Sequence, residues 1–115
     1  MRRMLAGLVA GLLFVPAFAQ YTGPGSQPLV TSLQAVLSKP VDDQQVTLRG
    51  RILRQVSGDK YIFSDGRDEI RVEIDDKLFA GKPVSANTLV EISGEVEKDF
   101  MESPEIDVDA LRIIE

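Results

Sequence analysis

At Val46 the spacing of apolar residues changes from a period near 3.6 to a period of 2, and that change predicts a mainly β domain preceded by one short helix. Before the change, Leu33, Val36 and Leu37 share one helical face. Thr31-Ser32-Leu33-Gln34 fits a capping box, and Val30 with Ala35 can form the accompanying staple. Lys39-Pro40 stops the helix, because the residue before a proline avoids helical geometry. After the change, Val46, Leu48, Gly50 and Ile52 alternate with Thr47, Arg49, Arg51 and Leu53, which predicts a long strand with one buried face.

A Ser57-Gly58-Asp59 turn leads into a second strand, Lys60 to Ser64, and Asp65-Gly66 marks the turn into a third, Glu69 to Asp75, with Ile70, Val72 and Ile74 on one side. Asp75 or Asp76 caps a short helical turn over Lys77 to Ala80, closed by Gly81. The fourth strand, Leu89 to Lys98, turns Val90, Ile92, Gly94 and Val96 to one side. The fifth, Glu105 to Ile114, sends Ile106 and Val108 inward and keeps Leu111 and Ile113 in phase only if it bulges near Ala110. Gly50 and Gly94 in mid-strand mark bends where a sheet coils over itself. Three meandering strands, a short helix and two further strands is the order of a five-stranded OB-fold barrel, with an open sandwich or SH3-like barrel as the rival on strand count.

The first 19 residues stand outside this pattern. Arg2 and Arg3, an apolar run from Met4 to Val15, and Ala17-Phe18-Ala19 before Gln20 have the three parts of a secretory signal peptide. The run is shorter than the roughly twenty residues a membrane span needs, so the mature protein is expected to carry no span. Residues 20–29, rich in Gly, Pro and polar groups, read as a flexible arm, and 30–115 as one domain. The expected location is the bacterial periplasm.

Charge and composition narrow the chemistry. The net charge is −5, and loss of Arg2 and Arg3 with the leader makes it two units more negative, which repels phosphate backbones and attracts cations. Nucleic acid is therefore not an expected partner. The sequence contains no cysteine and no histidine. Disulfides, thiol chemistry, the commonest general base and the commonest metal ligand are all absent, so stability rests on apolar packing and no catalytic site, metal or cofactor is expected. A carboxylate hydrolase needs only an acid and a base, but so small a domain leaves little room for its cleft.

Several strings, in order, resemble the bacterial OB-fold (BOF) family of small exported proteins. They are Gly23-Pro24-Gly25, Val46-Thr47-Leu48-Arg49-Gly50, Tyr61-Ile62-Phe63, Ile70 through Asp75, Val90 through Asp99, and Glu105 through Val108. The resemblance implies an OB-fold barrel, a periplasmic protein required under envelope stress, a binding role with small ligands favoured over nucleic acid, and no catalysis. The chain departs from the family's pattern in having no tryptophan, with Phe79 and Phe100 where the family often carries one, and in a shorter turn between strands two and three.

OB-folds bind on the solvent face of strands one to three. There Arg49, Arg51, Arg71 and Glu73, with Tyr61 or Phe63 as a stacking ring, are candidates to hold a small sugar-like or anionic ligand. The competing reading pairs these arginines with glutamates across a solvated sheet and packs the rings in the core or its rim. Glu95, Glu97, Asp107 and Asp109 form a second candidate, an acidic patch that attracts a cationic peptide or an envelope protein partner, or that only solubilises an outer face.

Overall fold

A computed structural model of the protein describes residues 29–115 together with Pro24. The expected leader and nearly all of the expected arm lie outside the described residues. Helix α1 spans Leu33–Ser38 and buries Leu33 and Val36. Its N-cap is Ser32, whose hydroxyl accepts the Ala35 amide at 3.3 Å. The cap therefore falls one residue after the Thr31 that the capping box suggested. Lys39 ends the helix as expected, its amide donating to the Ala35 carbonyl at 3.2 Å.

Five strands follow: β1 (Gln45–Ser57), β2 (Lys60–Ser64), β3 (Glu69–Glu73), β4 (Val90–Glu97) and β5 (Glu105–Ile113). A 3₁₀ helix, Asp76–Phe79, lies between β3 and β4, capped by the Asp75 carboxylate accepting the Lys77 amide at 3.1 Å. β3 stops before Asp75 because the Ile74 amide donates to the Asp59 carbonyl at 2.8 Å and Asp75 is engaged as the cap. The left-handed closing residue is Ala80, at φ 54°, with Gly81 following at φ 72°.

The strands close into a barrel in the order β1-β2-β3-β5-β4, with β3 and β5 parallel and the other pairs antiparallel. This is the OB-fold arrangement. β1 serves two neighbours, pairing with β4 from Gln45 to Gly50 and with β2 from Arg51 onward. The change of partner requires the bend at Gly50, where a Cβ would sit 2.8 Å from Phe63 Cζ and run into the Ser64 carbonyl. In β4, Gly94 is opposite Val108 while Ser93 is opposite Ala110, leaving Asp109 as the extra residue of a bulge. That bulge returns Leu111 and Ile113 to the core side, opposite Ile92 and Val90, as the sequence pattern required.

The core is built from the alternating apolar set of every strand plus Leu33 and Val36, with Phe63, Val72, Ile74, Val90, Ile92, Val96 and Ile106 fully buried. Among the described residues no helix is long and apolar enough to cross a membrane.

Candidate functional site

The alternation that fills the core also fixes the outer face. With Val72 and Ile70 inward, β3 turns Glu69, Arg71 and Glu73 outward, and register places Ile62 of β2 opposite Arg71 and Lys60 opposite Glu73. Residues after β4 fold back over this face before β5 begins, because β5 runs parallel to β3 with Glu105 opposite Arg71. The result is a groove of about 690 Å³ floored by Ile62, Glu69 and Arg71, walled by Ser103 and Glu105, and ended by Leu37 of α1. Arg71 is half exposed and lies 3.8 Å from a Glu105 carboxylate oxygen, a loose pairing that leaves most of its five N–H donors available.

Of the residues expected on this face, Arg71 and Glu73 are there. Arg49 is engaged elsewhere: its Nε donates to Glu91 at 3.0 Å, while Arg112 donates to the other Glu91 oxygen at 2.6 Å. Register produces this clamp, since Arg49, Glu91 and Arg112 are directly opposite one another across β1, β4 and β5. Glu91 is only 6% exposed. Burial alone would push its carboxyl up, but the hydrogen bonds and charges of Arg112 and Arg49 outweigh it and hold the group below the ordinary range. Arg49 and Glu91 also line a separate hollow of about 380 Å³ with Thr31, Thr47 and Asp65. Arg51 is exposed and makes no ion pair among the described residues.

The two candidate rings correct the sequence-based expectation. Tyr61 and Phe63 are two residues apart, so they share a side, and that side is inward because Ile62 between them faces out. Phe63 is fully buried and offers nothing to the face. Tyr61 is half-buried at the barrel end, edge-to-face with Phe79, with centroids 5.7 Å apart and planes at 66°. Phe100 is 90% exposed.

The acidic patch is continuous with the Arg71 face. Glu95 is opposite Asp107 and Glu97 opposite Glu105, so like charges meet directly across β4 and β5. Carboxylate oxygens of Glu73, Glu97 and Glu105 lie within 4.8 Å of one another. Lys60 supplies their counter-charge, its Nζ 2.7 Å from Glu105 and 3.4 Å from Glu73, and the Glu105 hydrogen bond leads the effects that raise its pKa. Desolvation by its neighbours, then Asp107 and Glu73, raise the carboxyl of the exposed Glu97 above its ordinary value. Burial, Asp107 and Glu95 do the same for Asp109, which the bulge places on the same rim.

Sequence reading missed Lys60, Glu91 and Arg112, all of which become important only through register. It also missed Ser103 and its neighbours, which line a groove because the β4–β5 connection folds back onto β3.

Comparison with known proteins adds the family. The model of the Bacterial OB fold (BOF) protein family matches residues 16–113. The Calcium-regulated OB-fold protein CarO of Pseudomonas aeruginosa is 40% identical over 96 residues, covering 84% of this chain and 81% of its own length. Protein YgiW of Escherichia coli K12 is 48% identical over 71 residues, covering 62% of this chain and 54% of that protein. The solved structure of YgiW from E. coli superposes with a TM-score of 0.68 at 38% identity, covering 84% of this chain and all of that one.

Proposed function

The chain belongs to the bacterial OB-fold (BOF) family, and on that premise we propose that it is a non-enzymatic binding module, exported to the periplasm by residues 1–19, that supports envelope stress tolerance by holding a small sugar-like ligand in the Arg71 groove. The groove carries this reading: it lies over β2 and β3 beside the β4–β5 connection, the place where OB barrels take oligosaccharides and oligonucleotides. Ile62 offers an apolar patch for a sugar ring, Arg71 donates, and Glu69 and Glu105 accept. Arg71 is the one cation among the lining residues, beside Glu69, Glu102 and Glu105, while Arg54 and Lys60 pair with Glu69 and Glu105 from outside the groove, so its charge is near balance and a neutral hydroxyl-rich ligand is favoured over an anionic one. Nucleic acid is disfavoured on the same ground, and the groove lacks the stacked rings of single-strand binders.

The reading is tested by a binding isotherm for an N-acetylglucosamine oligomer. Arg71→Ala should weaken binding by roughly ten-fold, while Arg49→Ala, whose guanidinium is tied to Glu91, should leave the isotherm unchanged. Equal loss in both variants, or in neither, contradicts the assignment.

A second reading is favoured by one observation, the directly opposed acidic pairs Glu95–Asp107 and Glu97–Glu105. On it, the acidic surface captures a cationic peptide or an envelope protein partner, whose charge relieves the repulsion. Such binding weakens steeply with salt, whereas groove binding of a neutral sugar does not.

A further inference from the structure

We propose that the hollow at the barrel end closed by the 3₁₀ helix is a second binding site, for a small zwitterion with an apolar body such as an aliphatic amino acid or dipeptide. The hollow measures about 360 Å³ and shares no lining residue with the Arg71 groove. Its floor is the Tyr61–Phe79 pair, whose edge-to-face packing at 66° leaves part of the aromatic surface open to the hollow. Asp76 and Lys82 stand on its rim.

These two charges carry the inference. Neither forms an ion pair with the other or with any group among the described residues. An acid and an ammonium on one hollow, left unpaired, present separate counter-charges to whatever enters between them. A simple anion meets Asp76 and the nearby Asp59, and a simple cation meets Lys82; a molecule carrying both charges satisfies both. Burial first, then Asp76 and Asp59, raise the Tyr61 pKa, which places both carboxylates within electrostatic reach of the ring that forms the floor. The Tyr61 hydroxyl has no hydrogen-bond partner among the described residues. Gln55 is anchored by its amide donating to the Gly58 carbonyl at 2.5 Å, which leaves its side-chain oxygen free to accept. An ammonium directed to Asp76, a carboxylate to Lys82 and an aliphatic side chain over the rings use every one of these features, and the volume suits one or two residues.

The test is an amide-shift titration of the protein at pH 7 with three probes: L-leucine, L-leucinamide, which lacks the carboxylate, and N-acetyl-L-leucine, which lacks the ammonium. Leucine should shift the amides of residues 55, 61, 76–82 and 84 saturably and bind about ten-fold more tightly than either blocked form. Lys82→Met should bring leucine down to the affinity of leucinamide, and Asp76→Asn to that of N-acetyl-leucine. Both residues are exposed, so both variants should keep the wild-type spectrum elsewhere. Equal affinity for all three probes, shifts confined to Ile62, Arg71 and Ser103, or no saturable shifts would overturn the proposal. Sugar binding in the groove stands or falls separately, because the two sites are read from different amides.

Discussion

Replacing Glu91 with glutamine tests the clamp that removes Arg49 from the ligand face. The side chain of Glu91 is 7% exposed and accepts two charge-assisted hydrogen bonds, at 3.0 Å and 2.6 Å. Bonds to charged groups contribute about 1.5–3 kcal/mol each. The partners can rehydrate, however, since the Arg49 and Arg112 side chains are 65% and 38% exposed, and glutamine retains one acceptor. The expected net loss at pH 7 is therefore about 2 kcal/mol, or about 8–16 °C in Tm for a domain of this size. The pH dependence is a second readout. The folded-state pKa of Glu91 lies below its ordinary 4.5, so the carboxylate's contribution is complete above that value and is lost as pH falls through the folded pKa. Thermal unfolding followed by circular dichroism should show a wide gap between the wild type and E91Q at pH 7 that closes on acidification. A gap under about 2 °C at pH 7, or one that persists unchanged in acid, refutes the clamp.

Two further perturbations address the barrel and its acidic rim. Gly50→Ala forces a Cβ to within 2.8 Å of Phe63 Cζ and into the Ser64 carbonyl, and should cost roughly 2–3 kcal/mol in chemical denaturation, with unchanged stability contradicting the bend. Glu97 has a raised pKa, so its ionised form opposes folding; that penalty is absent below the ordinary pKa and develops as pH rises through the folded value. Glu97→Gln should accordingly stabilise the protein by roughly 0.5 kcal/mol at pH 7 and low salt, and by nothing below about pH 4, a small figure because the residue is exposed and screened.

How much was legible in the sequence follows from which interactions are local. Period-2 alternation found every strand, and the interruption of that period in β5 located the bulge, because Leu111 and Ile113 reach the core only if Asp109 is looped out. Gly50 and Gly94 were readable as bends because a glycine takes a core-facing position in an apolar strand where the backbone bends or another strand comes too close for a side chain. The face of β2 was left open by the sequence: Tyr61 and Phe63 bracket Ile62, and only the pairing with β3 decides that the aromatic pair, not the single aliphatic residue, faces inward. The Glu91 clamp was not legible, since Arg49, Glu91 and Arg112 are remote in sequence and meet only through two strand registers. The groove was invisible for the same reason, as the β4–β5 connection becomes a wall only when parallel pairing sets Glu105 beside Arg71. Local rules settle elements and caps; a site assembled by register needs the barrel.

The most direct test of the binding role is an amide-shift map of the protein titrated with a neutral N-acetylglucosamine oligomer and with its phosphorylated counterpart, at low and moderate salt. Saturable, salt-insensitive shifts at Ile62, Glu69, Arg71, Glu102, Ser103 and Glu105, stronger for the neutral sugar, are the predicted result. Shifts spread over Glu95, Glu97, Asp107 and Asp109 only, or none in the groove with either sugar, would contradict it.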